Sequence, residues 1–155
     1  MFYVKTNSEG ELEQYPYTLT DLRRANRNVS FSKTISDESA ASFGLFPVTP
    51  SPQPAYDYRK NLERTAIRSG DSWVEQWTEV DASAEEITAR TQNQELSVRQ
   101  IRNAKLAQCD WTQLPDSPLD ADGKNAWALY RETLRMVPQQ SGFPWTVVWP
   151  PEPTT

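Results

Sequence analysis

Two sets of side chains in this chain have chemistry to offer: its carboxylates and its aromatics. Glu75 and Glu79 share one strand-like run, and Asp116, Asp120 and Asp122 cluster further on. Carboxylates at such spacings bind calcium or divide acid and base work between them. The other parts of either device do not follow. No distal Glu completes an EF-hand loop after Asp116, Asp120 and Asp122. Histidine is absent from all 155 residues, which removes the commonest general base and transition-metal ligand. A single cysteine, Cys109, makes neither a zinc site nor an internal disulfide, and five scattered glycines form no phosphate loop. A hydrolase built on Glu75, Glu79 or Asp116 would lack an activated nucleophile and a paired base. The expectation is therefore a protein that is not an enzyme and uses no cofactor or metal, with Asp116 and Asp120 as turn and helix-start residues.

The aromatics point to binding. Four of the six tryptophans lie between residues 109 and 150. With 37% hydrophobic residues and a mean hydropathy of −0.74, the chain can build only a thin core. Part of its apolar surface is then expected to be completed by a partner. The candidate contacts are Trp111, Trp127, Tyr130, Phe143, Trp145 and Trp149, with Trp73 and Trp77 as a second element. Packing in a small core is the plainer reading of Trp111 and Trp127, and direct partner contact the sharper one. A net charge of −5 argues against nucleic acid. No charged-then-apolar leader opens the sequence, and its longest apolar run near the C-terminus, residues 147–151, is too short for a membrane. A cytosolic protein with a protein partner is expected.

The elements that must position these residues read as α+β. A small, mixed, β-rich N-terminal domain over residues 1–82 precedes a C-terminal region, 83–155, made of a helical hairpin and an extended Pro/Trp-rich tail. Residues 2–6 read as a strand, 7–10 as a turn, and a second strand runs toward Tyr17 to make a hairpin. A short helical turn over 20–26 is followed by extended residues 28–31. Residues 36–46 read as a helix ended by Gly44, and Pro47, Pro50, Pro52 and Pro54 make an extended connector. Strands over 64–69 and 73–80 pair across Gly70-Asp71. In the second strand Trp73, Glu75, Trp77 and Glu79 share one face, so it is either covered on both sides or an exposed edge.

Ser83-Ala84-Glu85-Glu86 is a capping-box pattern that starts a helix running to about Cys109. Its seam through Ile87, Thr91, Gln94, Val98, Ile101 and Lys105 holds three hydrophobes, which leaves it dependent on a small core or on a bundle in an oligomer. A loop over 111–119 leads to a second helix, about 120–137, with Trp127, Tyr130, Arg131 and Leu134 on one face and Pro138 as its stop. The two helices fold back antiparallel. Residues 142–151 read as extended and apolar, lying on the helical pair or in a partner's groove.

Several of these runs also carry a resemblance. Residues 102–116, reading Arg102-Asn103-Ala104-Lys105-Leu106 through Cys109-Asp110-Trp111 to Leu114-Pro115-Asp116, resemble tailed-bacteriophage tail fibre assembly or tail assembly chaperones. The likeness continues in Trp127-Ala128-Leu129-Tyr130-Arg131, Leu134-Arg135 and Gly142-Phe143-Pro144. Earlier runs are similar too: Tyr15-Pro16-Tyr17, Asn28-Val29-Ser30-Phe31, Gly44-Leu45-Phe46-Pro47 and Trp73-Val74-Glu75-Gln76-Trp77. What this implies is a helper that binds a phage tail fibre protein, trimeric when mature, and promotes its folding, trimerisation or attachment. The implied place is the host cytoplasm during assembly, with retention in the virion tail left open. The alternative is a permanent virion component, a fibre collar, hinge or adaptor, as a homo-oligomer or fibre-bound complex.

Overall fold

The computed structural model describes residues 2–154, in two compact units, Met1–Ala82 and Ser83–Thr155. The first unit opens with the expected hairpin, β1 (Tyr3–Thr6) against β2 (Leu12–Tyr17). Asn7 builds its turn: the side-chain oxygen accepts from the Glu9 and Glu11 N–H groups at 3.0 and 2.9 Å. Helix α1 (Leu19–Ala25) starts at Thr18, whose hydroxyl accepts from Asp21 N–H while the Asp21 carboxylate accepts from Thr18 N–H. Residues 28–31, expected to be extended, form a turn and loop; Phe31 packs edge-on against Phe43 with centroids 5.2 Å apart.

The largest departure from expectation follows. Helix α2 covers only Asp37–Ala41, and Leu45–Thr49, expected as helix end and proline connector, is strand β3. Pro47 hid it, because proline cannot donate to a ladder. The pairing explains how it is tolerated. Thr6 N–H donates to Gly44 O, and Val48 N–H donates to Phe2 O. In an antiparallel pair these bonds fall on alternate residues, so residues 44, 46 and 48 serve β1 and Pro47 faces β5, where the pairing begins only at Val48 and asks Pro47 for no donor. Strands β4 (Lys60–Ser69) and β5 (Ser72–Asp81) pair antiparallel across Gly70, whose φ of +60° suits the first position of a two-residue hairpin turn.

The sheet order is β2-β1-β3-β5-β4, with β3 and β5 parallel. It curls until β2 lies near β4. One core gathers Tyr3, Tyr17, Leu22, Ala40 and Leu45 beneath the two short helices, and another gathers Val4, Ala66 and Trp73 inside the curl.

In the second unit, α3 (Ala84–Gln108) is capped as its sequence suggests: Glu86 N–H donates to Ser83 Oγ at 3.2 Å and Ser83 N–H to Glu86 Oε2 at 2.9 Å. The covered seam differs at one step. After Val98 it passes through Arg102, Lys105 and Cys109, leaving Ile101 exposed. A short 3-10 turn (Asp110–Gln113) leads into the loop before α4 (Ala121–Met136), which Asp120 caps by accepting from Gly123 N–H at 2.8 Å. Pro138 lies in the 3-10 turn Val137–Gln139 that closes α4. Beyond it, residues 141–146 coil through successive turns, with Thr146 N–H donating to Gly142 O, where an extended tail was expected. A Cβ at Gly142 would come within 2.5 Å of Thr146 O, so this tight coil needs glycine there.

Candidate partner-docking groove

Helix α4 divides its surface between two tasks. Trp127, Tyr130 and Leu134 recur at three- and four-residue spacing and are buried with Cys109 against Leu106, Leu119 and Trp149. Trp111 stacks onto this cluster at 6.3 Å from Trp127, and Trp127 meets Tyr130 edge-on at 5.5 Å. Arg131 ties α4 to the end of α3. Its guanidinium donates to Leu106 O at 2.8 Å and to Asp110 Oδ1 at 2.7 Å, placing a cation at the C-terminal end of α3. From Arg131 the chain runs back along α3, so that Gln94 Nε2 donates to Pro144 O and Arg99 stacks over Phe143 at 5.6 Å.

A second stripe on α4, Ala126, Leu129, Thr133 and Met136, has no such cover. Leu129 is 66% exposed and Val148, across from it, 72%. Between them opens a groove of about 510 Å³, with Ala126, Leu129 and Thr133 as its floor and Val148, Trp149, Pro150, Pro151 and Pro153 as its wall. Two contacts hold the wall. The Gln140 side-chain amide donates to Val148 O at 2.8 Å while its oxygen accepts from Val148 N–H at 2.9 Å. Glu152 then returns to Tyr130 Oη at 3.4 Å and to Lys105 Nζ at 3.5 Å. Burial first, and then the Glu152 charge, raise the Tyr130 phenol above its ordinary pKa.

The eight predicted contact residues separate accordingly. Tyr130 and Trp149 line the groove, Tyr130 mostly from within the core. Trp127 is a core residue and Trp111 stays 41% exposed beside it. Phe143 and Trp145 are half-buried in the coil over 141–146. Trp73 is buried inside the first unit, and Trp77 is half-buried there with its indole Nε1 enclosed and without an acceptor. Leu129, Gln140 and Val148 were not predicted. The signal for Leu129 was a second run at helical spacing, Ala126, Leu129, Thr133, Met136, one step round the helix from the aromatic stripe.

The carboxylates are accounted for separately. Glu79 is exposed and Asp116 lies in a turn. Glu75 is buried within the curled sheet, where its carboxylate accepts from Tyr15 Oη at 2.7 Å, from Ser51 N–H at 3.0 Å and from Arg64. Burial is the largest influence on this carboxyl and pushes its pKa up, but the Tyr15, Ser51 and Arg64 donors together outweigh it, and the net shift is downward. Arg64 in turn lies over Phe2, Tyr15 and Trp77, at 4.3 to 5.4 Å from the ring centroids. A carboxylate so fully engaged holds strands together. Among the described residues no group of three or more His, Cys, Asp or Glu could hold a metal, and no helix is long and apolar enough to cross a membrane.

The floor and the wall of the groove fall in one stretch of sequence that matches a family model. Residues 95–154 match the model of the phage tail assembly chaperone protein family. The match covers 60 of the 155 residues, so the likeness to phage tail assembly chaperones is carried by this stretch. It runs from the middle of α3 through α4 to the end of the wall, and residues 1–94 lie outside it. No curated protein and no solved structure matches the chain.

Proposed function

We propose that this protein is a tail fibre assembly chaperone that carries out no reaction of its own. It binds the fibre polypeptide in the host cytoplasm and promotes its folding, trimerisation or attachment. The observation that carries this reading is the groove itself: an open, largely apolar surface within the stretch that matches tail assembly chaperones. Trimeric fibres expose edge strands and apolar faces before they assemble, and such surfaces aggregate unless masked. An acidic protein with an uncovered apolar groove is suited to masking them. The test is co-expression with the tail fibre protein of the same phage. Soluble, trimeric fibre is expected with the chaperone and aggregated fibre without it; fibre that is equally soluble and trimeric in both cases overturns the reading.

A second reading, a permanent collar, hinge or adaptor of the tail, is favoured by one observation. Leu96 and Ile101 on α3 are exposed, as a helix awaiting a bundle would have them. Stoichiometric copies in purified virions would select it over a transient helper.

A further inference from the structure

The groove carries information about what fills it. Resting on the chaperone reading, we infer that it receives an amphipathic α-helix of the tail protein, apolar stripe inward and lysine or arginine on its flanks. The backbone around the groove decides between helix and strand. The amides and carbonyls of α4 are spent within the helix, Val148 has given both backbone groups to Gln140, and Pro150, Pro151 and Pro153 have no N–H. An incoming strand would find almost no ladder and would bury its own polar groups unpaired, at roughly 1–3 kcal/mol each. A helix brings its hydrogen bonds with it.

Spacing and charge agree. Ala126, Leu129 and Thr133 span about 10 Å at the helical rise, which matches two turns of a partner helix. The small side chains on either side of Leu129 allow close helix approach. Asp122 lies one turn before Ala126 on the groove side of α4, Glu132 follows on its outward side, and Glu152, shared with Lys105, stands in the wall. By helical periodicity Lys124 and Arg135 fall on the far side, and Arg131 is engaged with Leu106 and Asp110. With Glu152 offset by Lys105, the negative charge of the rim rests on Asp122 and Glu132, and it complements a basic flank.

The experiment titrates the full-length protein with three model peptides of about 18 residues, roughly five helical turns. One has leucines at i, i+3, i+4 and i+7 and lysines elsewhere; its twin carries glutamates instead of lysines; the third alternates valine and lysine as a strand. Tryptophan emission reports binding and peptide circular dichroism reports helix. The leucine–lysine helix should bind at one copy per chain and about tenfold more tightly than the other two. Ala126→Trp, which fills the groove from an exposed helix position, and Leu129→Ser, which removes its central contact, should each weaken it about tenfold. Leu96→Ser on α3 should leave it unchanged. Equal binding of the strand peptide, or binding indifferent to both groove variants, overturns the inference.

The same groove variants in the fibre co-expression separate the two claims. If the wild-type protein rescues the fibre and Ala126→Trp and Leu129→Ser rescue it equally well, the groove inference fails and the chaperone reading stands. If the helix peptide binds in the groove but the fibre is indifferent to the protein, the fibre reading fails and the groove's preference stands.

Discussion

Replacing Glu75 with Ala is the sharpest perturbation the first unit offers. The Glu75 side chain is 3% exposed and its carboxylate is the shared acceptor for Tyr15, Ser51 and Arg64. Removing it leaves a hydroxyl and an amide without their acceptor, and a guanidinium without its counter-ion. Breaking a buried ion pair from one side destabilises by about 3–5 kcal/mol. The Arg64 side chain is 26% exposed, so water recovers part of its charge and the lower end, about 3 kcal/mol, is expected. That is a large share of the roughly 5–15 kcal/mol that holds a domain folded. Glu75→Gln keeps the shape and one acceptor and should lose about half as much. Arg64→Met combined with Glu75→Leu, which removes both charges, should be milder than Glu75→Ala alone. Hydrogen exchange of peptides covering residues 60–81, with peptides from α3 and α4 as internal control, isolates the effect to one unit. The pH dependence has a definite sign. Because the folded pKa of Glu75 is depressed, its stabilisation is complete above the unfolded carboxyl range, near about 4.3, and is lost as pH falls through the lower folded value. Wild type and Glu75→Gln should thus converge in acid. A Glu75→Ala loss below about 1 kcal/mol, or a double variant as damaged as the single one, refutes the argument.

Three further outcomes follow from the second unit. Leu134 has no exposed surface, so Leu134→Ala should cost about 2–4 kcal/mol, read as faster exchange throughout α4. Ser83→Ala removes one half of a reciprocal cap and should destabilise the start of α3 by about 1 kcal/mol, visible as faster exchange in its first turn with little change in α4. Gln140→Ala releases both hydrogen bonds to Val148; the summed tryptophan emission should shift to the red and become more accessible to quencher, through Trp149, while the helical signal is unchanged.

Much of this architecture was legible where a local rule has one structural meaning. Ser83 with Glu86 marks a helix start because two backbone donors find acceptors at once, and Gly70-Asp71 marks a hairpin because a tight turn needs positive φ. Strand β3 was not legible. Pro47 in a central strand contradicts the usual rule, and only register makes it acceptable: alternation turns it away from β1, and the pairing with β5 begins after it, at Val48. The aromatic stripe of α4 was read as a cluster, and its core role for Trp127, Tyr130 and Leu134 is what three- and four-residue spacing predicts. The groove was not read from sequence because its wall depends on Gln140 meeting Val148, a contact made possible by the coil between them. That coil was expected to be extended, since a run such as Phe143-Pro144-Trp145 carries no periodic signal and its turns are set by Gly142 closing onto Thr146.

The way the groove is held says which of its parts determine its shape. The ion pair between Lys105 and Glu152 is long and exposed, and pairs of that kind contribute about 0–1 kcal/mol. The anchors with more to lose are Trp149, which lies on the Leu134 cluster, and the Gln140 amide, which makes two hydrogen bonds to one residue. Both belong to the same short chain segment as the wall. The floor is different: Ala126 and Leu129 stand on a helix fixed from behind by Trp127, Tyr130 and Leu134, whose burial supplies most of the stability of this small unit. The floor is thus fixed by the core behind it, and the wall is held chiefly through Trp149 and Gln140. Substitutions behind the floor should therefore unfold the unit, whereas substitutions at Gln140 should alter affinity for a partner without altering the fold. This separation ties the aromatic residues to the groove: most of them support the surface on which a partner helix would rest, and the aliphatic residues one step round the helix meet it.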